Sequence, residues 1–236
     1  VGDVVSLRSL SFNPGGGGSG GTPPQGAALD LALFAVQSAE PESLTPPATL
    51  TPIDDIPLAE AVNAASPRTF AISFAMGQWL LNGRTFEMTG VAPNEFVQIG
   101  TTEVWEFTNT STGMGQMQMP HPLHVHAVQF QVVERTMDAA GAAAYATVRD
   151  GLVDTGWKDT ILTMPGERVR IIQRFGPYPG TFLYHCHNLE HEDAGMMRNF
   201  RIVGSTTGVG GDSSAAPIFA LTVSPNPSWG AMIEVG

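Results

Sequence analysis

The chain has 236 residues, of which 42% are hydrophobic and 14% are charged, and its formal net charge at pH 7 is −11. This apolar content is enough to bury a core, so the composition excludes a disordered or a collagen-like polypeptide. The acidic balance argues against nucleic acids and anionic membranes as partners. No apolar run reaches the length of a membrane-spanning helix, so no membrane span is predicted.

The first 66 residues predict connecting segments rather than a complete domain. Two strands, at 4–12 and 29–36, flank a glycine-rich loop, and two strands cannot form an independent core. Residues 1–37 are therefore predicted to be the end of a preceding domain. The segment 38–66 is rich in Pro, Ala and Thr and is predicted to be a linker.

Residues 67–204 predict an all-β domain. Apolar residues alternate from Phe70 to Met76, and Asn82-Gly83 is typical of a hairpin turn. Further strands are predicted at 95–99, 103–108, 124–135, 167–175, 181–187 and 199–203. The alanine-rich stretch 137–146 predicts a loop or one helical turn. Short strands separated by Gly, Pro and Asn favour a β-sandwich or a small barrel.

After this domain the sequence predicts a second low-complexity linker at 205–217 and the start of another β-segment at 218–236. The chain begins at Val1 with no signal-peptide pattern, so we expect either a processed product or a fragment.

The positions of the histidines are the strongest indication of chemical function in the sequence. All six lie in two short clusters, and the only cysteine lies inside the second, which leaves no partner for an intrachain disulfide. The clustered residues are His121, His124 and His126, then His185, Cys186, His187 and His191. Histidines scattered through a core would not gather in this way, so the pattern predicts a metal site.

Strand geometry sorts these residues into two groups, because side chains alternate across an extended backbone. His121 and Cys186 form one group, to which His191 and Met196 can return from the loop that follows. The second group comprises His124, His126, His185 and His187. One thiolate, two imidazoles and a thioether are the ligand set of a blue copper site, and four imidazoles suit a second copper centre. A tetrahedral zinc site and a buried inert thiol are the weaker alternatives.

Together these motifs resemble the C-terminal cupredoxin domain of multicopper oxidases. The resemblance covers residues 67–204 and rests on HPLHVH at 121–126 and HCHNLEHEDAGMM at 185–197. GWKDT at 156–160 and FGPY at 175–178 are similar to spore-coat laccases of bacteria, and the EHED and GMM runs are similar to bacterial cuprous oxidases. The resemblance implies a cupredoxin-like Greek-key β-sandwich, preceded by partial strands of another cupredoxin domain.

The resemblance also implies a copper ligand set. A type 1 copper is held by His121, Cys186, His191 and Met196, with Met197 as the alternative axial ligand. Type 2 copper is bound by His124, and the type 3 pair by His126, His185 and His187. Glu192 matches an acid that helps protons reach dioxygen, although a solvated loop charge is an equal interpretation. Trp157 and Asp159 are candidates for bracing the blue site.

One departure from the family pattern concerns the trinuclear cluster, which needs twice the histidines that this chain supplies to it. The chain is therefore predicted to be a piece of a longer laccase-like oxidase, and this piece lacks the N-terminal cupredoxin domains. The alternative is that the chain assembles with a separate subunit. The intact enzyme is expected to oxidise phenols, aromatic amines or low-valent metal ions and to reduce dioxygen to water. The alternatives are a cuprous oxidase, an electron-transfer cupredoxin, a copper nitrite reductase and a non-catalytic copper-binding module.

Two further motifs bear on substrate and location. Met114, Met117 and Met119 precede His121; their thioethers suit Cu(I), but packing of an apolar loop is the favoured interpretation. Residues 221–227, with Trp229-Gly230, resemble the start of the C-terminal sorting domain of the type IX secretion pathway. That resemblance implies a secreted or surface-attached protein, with the periplasm as the alternative.

Overall fold

The computed structural model describes residues 2–15, 26–38, 45, 47–49, 51–109 and 118–204. The predictions for Met114 and Met117, and those for segments 205–217 and 218–236, lie outside the described residues.

The described part of the chain is built mainly from strands. The strands are β1 Val4–Arg8, β2 Asp30–Ala35, β3 Arg68–Ala75, β4 Gln78–Leu81, β5 Phe96–Gln98, β6 Thr102–Thr108, β7 His121–Val125, β8 Phe130–Met137, β9 Thr160–Thr163, β10 Glu167–Arg174, β11 Gly180–Cys186 and β12 Met197–Val203. The two short α-helices are α1 Ala142–Tyr145 and α2 Leu189–Asp193. Among these described residues, no helix has the length and apolar character needed to cross a membrane.

Ten of the strands form two five-stranded sheets. Their orders are β4-β3-β6-β10-β8 and β5-β12-β11-β7-β9. Aromatic side chains from both sheets meet in one core: the ring centroids of Phe70 and Tyr184 are 4.7 Å apart, and those of Trp105 and Phe200 are 5.3 Å apart. The two sheets therefore enclose a common hydrophobic core, and the predicted all-β sandwich is confirmed.

One predicted strand is two strands in the structure, and some strands of the structure were not predicted. The segment predicted as a single strand, 124–135, is two strands, β7 in one sheet and β8 in the other. Ala127 lies between them with a φ of 70°, which interrupts the extended backbone where the chain changes sheets. Strands β4 and β9 and helix α2 were not predicted. Asn82-Gly83 does form a tight turn, but β3 and β4 are joined by Met76-Gly77.

Strands β1 and β2 pair with each other as a separate two-stranded sheet. Apolar side chains are exposed on both faces of this ribbon; Val4 is 61% exposed on one face, and Val5 is 56% exposed on the other. Two strands alone bury too little apolar surface for independent stability. This exposure supports the prediction that residues 1–37 are strands of a preceding domain, which stays a prediction.

Part of the segment predicted as a linker packs on the sandwich. Ile56 is buried beside Val104 and Ile172, and its N–H donates to Oε1 of Gln131 at 2.6 Å. Further along, the carboxylate of Glu60 forms an ion pair with Arg174 at 2.8 Å. An apolar side chain and a backbone donor are satisfied here by the sheet, so the folded domain begins before residue 67.

A buried ion pair joins Arg198 on β12 to Glu95, which directly precedes β5 in the same sheet. Arg198 donates from Nε and Nη2 to the two carboxylate oxygens of Glu95, at 2.9 and 2.8 Å, and both side chains are fully buried. The hydroxyl of Tyr184 donates to the same carboxylate at 2.8 Å. Burial alone raises the pKa of Glu95, but the hydrogen bonds from Arg198, Ala92 and Tyr184 hold it below its ordinary value.

Candidate metal centre

Strands β7 and β11 carry most of the predicted ligands and are antiparallel neighbours. His185 lies opposite His124, and Cys186 lies opposite Leu123. Residues that lie directly opposite each other point to the same face of a sheet, and neighbours along one strand point to opposite faces. Cys186 therefore faces the core, whereas His185 faces away from it.

The first group of donors, which we name the thiol cluster, consists of Cys186, His121 and His191. Sγ of Cys186 lies 3.5 Å from Nδ1 of His121 and 3.6 Å from Nδ1 of His191. All three side chains are buried, and their donor atoms lie within 4.8 Å of one another. Helix α2 brings His191 back to the strand end, and the N–H of Asn188 donates to Sγ at 3.4 Å.

Cross-strand pairing separates the two adjacent methionines. Met197 lies opposite His185, so these two side chains share the face that points away from Cys186. Met196 is fully buried in the same core as Cys186, and its carbonyl accepts the N–H of Cys186 at 3.1 Å. This placement supports Met196, rather than Met197, as the predicted axial ligand.

Trp79 on β4 packs against the thiol cluster from the other sheet. Its ring centroid lies 4.5 Å from that of His121, in an edge-to-face arrangement, and 5.0 Å from that of His191. The two imidazole centroids are themselves 5.0 Å apart, so the three rings form a compact triangle. Only 7% of Trp79 is exposed.

Burial favours the uncharged forms of the donors in the thiol cluster. Burial, helped by the nearby charge of His191, lowers the pKa of His121 to about 3, so its imidazole is neutral. Burial raises the pKa of Cys186 to about 12, against the lowering effect of the Asn188 N–H. The cluster is thus an uncharged pocket of two nitrogen donors and one sulfur donor. This donor set, with a buried thioether in the same core, fits the His₂Cys(Met) pattern of blue copper sites.

The second group, which we name the imidazole cluster, consists of His124, His126, His185 and His187. Nε2 of His126 lies 3.1 Å from Nε2 of His185, and the ring centroids of His185 and His187 are 4.7 Å apart. The donor atoms of His124, His126 and His185 converge within 4.8 Å. His187 is 45% exposed, and a cavity of about 320 Å³ opens beside His124 and His126.

Hydrogen bonds to Nδ1 orient two of these rings. Nδ1 of His124 contacts the carbonyl of Asp159 at 2.8 Å and the hydroxyl of Thr160 at 3.1 Å. Nδ1 of His185 contacts the carbonyl of Cys186 at 3.1 Å. A carbonyl only accepts, so each Nδ1 carries the proton and each Nε2 keeps its lone pair for a metal.

Glu192 lies at the border of the imidazole cluster. Its Oε2 is 3.6 Å from Nδ1 of His185 and 3.7 Å from Nδ1 of His187, and its side chain is 30% exposed. These three residues also form a group whose donor atoms converge. The carboxylate therefore lies beside both histidines, at distances longer than a direct hydrogen bond.

The structure brings together the residues that alternation sorted into two groups, and it assigns the bracing residues differently. Trp157 is 41% exposed, and Asp159 contacts the imidazole cluster through its carbonyl rather than the thiol cluster. Sequence reasoning missed Trp79, Thr160 and Asn188. No local pattern marks Trp79, because it belongs to a strand of the other sheet.

Comparisons with known proteins agree with this fold and these motifs. The family model described as multicopper oxidase matches residues 59–205, and the chain belongs to this family. Laccase from Bacillus subtilis is 40% identical over 112 residues, which cover 44% of this chain and 21% of that protein. Bilirubin oxidase from Albifimbria verrucaria is 30% identical over 200 residues, covering 85% of this chain and 32% of that protein.

Solved structures give the same result. The McoA multicopper oxidase from Aquifex aeolicus superposes with a TM-score of 0.59 at 28% identity, covering 86% of this chain and 41% of that one. Laccase from Pediococcus acidilactici gives a TM-score of 0.53 at 34% identity, covering 74% and 34%. The fold is therefore cupredoxin-like, and copper is the metal of the family. The chain spans a fifth to a third of the length of these two curated relatives.

Proposed function

We propose that this chain is the copper-binding C-terminal part of a laccase-like oxidase. The reaction takes one electron from each of four reductant molecules and reduces one dioxygen, with four protons, to two molecules of water. The reductants proposed are phenols, aromatic amines or low-valent metal ions. Similarity to a laccase and to a bilirubin oxidase supports this class of reaction.

One observation carries the proposal: a single strand end supplies both clusters. Cys186 on β11 enters the thiol cluster, while His185 and His187, its neighbours along the chain, enter the imidazole cluster. A stand-alone electron carrier needs only the first cluster. The covalent path from Cys186 to each flanking histidine is one peptide unit long, which suits an enzyme that takes electrons at one cluster and uses them at the other.

The residues of the two clusters have different proposed roles. The thiol cluster with Met196 would hold the type 1 copper, and the imidazole cluster would hold part of a type 2 and type 3 centre. Copper supplies one-electron redox chemistry that the side chains lack. The buried walls keep water from Cys186, Asp159 fixes the ring of His124, and Glu192 can hold a proton beside His185 and His187. The other histidines of the oxygen site are proposed to come from a domain outside these 236 residues.

The first test is copper loading of the 236-residue chain. We expect Cu(II) to produce an intense visible thiolate-to-copper band, which Cys186→Ser abolishes while copper at the imidazole cluster is retained. A matched control is Met197→Leu, which changes a neighbouring sulfur residue on the other face of β12 and should keep the band.

The copper count and dioxygen uptake then decide among the functions. An oxidase fragment is supported by two results together. Cys186→Ser loses the band, and a further copper, beyond the one that gives the band, is lost in His126→Ala or His187→Ala. One copper per chain, unaffected by either histidine change, supports an electron-transfer cupredoxin instead. A copper-loaded wild-type chain without the band contradicts the blue-copper assignment.

Metal-ion oxidation is the second candidate function, and the methionines before His121 favour it. Met119 is partly buried and packs against the core, which agrees with the packing interpretation for this residue, so the proposal depends on the dense methionine pattern of the sequence. In the whole enzyme, replacing Met114, Met117 and Met119 with leucine should lower Cu(I) oxidation and spare a bulky phenolic dye. Equal loss of both activities contradicts the idea.

Export from the cell is also part of the proposal, because residues 221–227 resemble a type IX sorting signal. Deleting residues 218–236 from the natural protein should then retain it inside the cell or in the periplasm, which cell fractionation measures.

A further inference from the structure

We propose that Trp79 is a positioning residue for the type 1 copper site: it orients the imidazoles of His121 and His191 and keeps water from Cys186. The inference rests on the proposed function, because it assumes that the thiol cluster binds copper. It assigns a role to a residue on the sheet opposite the one that carries His121 and Cys186.

The first support is that hydrogen bonding leaves His121 unoriented. Nδ1 of His121 faces Sγ of Cys186, and Nε2 is buried without a hydrogen-bond partner among the described residues. A metal-binding histidine ordinarily donates its other ring N–H to a carboxylate, carbonyl or water, which fixes the ring. His124 in the imidazole cluster follows that pattern and His121 does not. The ring of His121 must therefore be held by packing.

The second support is that Trp79 supplies this packing to both imidazoles. Its centroid lies 4.5 Å from His121 at an interplanar angle of 70°, and 5.0 Å from His191 at 38°. Edge-to-face contact at this distance is a favoured aromatic geometry. One indole thus contacts two rings whose Nδ1 atoms converge on the same sulfur.

The third support is that Trp79 is itself firmly held. Phe74 on β3 packs against its ring with centroids 4.9 Å apart, and the pairing of β3 with β4 places these residues opposite each other. Beyond β4, the N–H of Phe86 donates to the carbonyl of Gly195, next to Met196, at 2.9 Å. The hairpin is therefore fastened to the segment that carries the proposed axial ligand.

The chemical consequence concerns the reduction potential. An apolar surround that excludes water disfavours the more highly charged Cu(II) relative to Cu(I) and so raises the potential. Loss of the indole admits water and frees the rings, so the potential should fall and the thiolate-to-copper band should broaden. A residue that serves only the stability of the core would leave both properties unchanged.

The test uses the Cu(II)-loaded 236-residue chain and the variants Trp79→Leu and Trp79→Phe. We expect Trp79→Leu to lower the reduction potential, broaden the visible band and weaken Cu(II) binding by about tenfold. Trp79→Phe keeps a smaller aromatic ring and should restore only part of each property, so a measurable fall in the potential remains. The matched control is Trp105→Phe, which alters a fully buried tryptophan that contacts Phe70, Phe175, Tyr184 and Phe200.

The outcomes separate this inference from the proposed function. A wild-type chain without a thiolate-to-copper band contradicts the function itself. A wild-type band with an unchanged potential and spectrum in Trp79→Leu overturns the role of Trp79. If Trp79→Leu does not fold, Trp79→Phe is compared with Trp105→Phe: a larger change in potential at position 79 supports the inference, and equal changes overturn it.

Discussion

The thiol cluster and the imidazole cluster share one strand end but differ in how they are built. The first is wholly buried, and every proposed ligand for it lies within this chain. The second is open to an adjoining cavity, with His187 about half exposed. The difference shows that this domain by itself encloses the thiol cluster, whereas the imidazole cluster keeps an open side, as the proposed function requires.

The two clusters also hold their rings differently. Contacts of Nδ1 with the Asp159 carbonyl, which accepts its proton, and with the Thr160 hydroxyl orient His124 in the imidazole cluster, while aromatic packing orients His121 in the thiol cluster. A buried ring can depend on packing because its neighbours are fixed by the core. A ring at an open face lacks neighbours on one side and needs directional bonds.

The largest expected effect is a loss of stability in the core that holds the thiol cluster. Arg198→Met leaves the buried carboxylate of Glu95 without its ion pair, and we expect the free energy of unfolding to fall by about 3–5 kcal/mol. Urea denaturation of the metal-free chain measures this loss. Arg168→Met is the control: Arg168 is about half exposed, its ion pair with Glu106 is 3.6 Å long, and Glu106 keeps a 2.7 Å pair with Arg170, so the change should cost less than about 1 kcal/mol. Equal losses would show that the buried Arg198–Glu95 pair contributes no more to stability than the Arg168–Glu106 pair.

The next prediction tests whether the clusters bind copper independently. His121→Ala should remove the thiolate-to-copper band and leave copper at the imidazole cluster. His187→Ala should do the reverse, because its side chain points away from Cys186. Visible absorption and a copper count on each variant measure the two sites separately. Loss of the band in His187→Ala would contradict the separation.

A smaller effect is expected at the axial position. Met196→Leu removes the thioether that we place beside the thiol cluster, which should raise the reduction potential because a donor to Cu(II) is lost. Met197→Leu is a matched control one residue away, on the opposite face of the strand. Voltammetry of the copper-loaded chain compares them. A larger shift from Met197→Leu would reverse the assignment.

The smallest effect concerns the support of His124. Thr160→Val removes one of two oxygens near Nδ1 but leaves the Asp159 carbonyl, so copper binding at the imidazole cluster should weaken by less than about tenfold. A Cu(II) titration in a His121→Ala background isolates that cluster. Thr163→Val is the control on the same strand, since the Thr163 hydroxyl has no partner among the described residues. A similar loss in both variants would remove Thr160 from the site.

Local pattern predicted much of the sandwich. Alternating apolar residues located β3, and short strand-like segments between Gly, Pro and Asn located β6, β10, β11 and β12. The division of 124–135 into β7 and β8 was not predictable, since Ala127 gives no signal of the positive φ at which the chain changes sheets. The packing of Ile56 on the sheet was also missed, because a short segment between prolines resembles a linker.

The sequence by itself determined the two donor groups. Motif spacing and strand alternation depend only on neighbouring residues, so His121 and Cys186 separate from His124, His126, His185 and His187 without any knowledge of the fold. The tertiary structure alone decided what surrounds each group: Trp79 and Asn188 at the thiol cluster, and Thr160 at the imidazole cluster. The contacts of Trp79 and Thr160 join residues far apart in the chain, and only the packing of one strand or sheet against another brings them together.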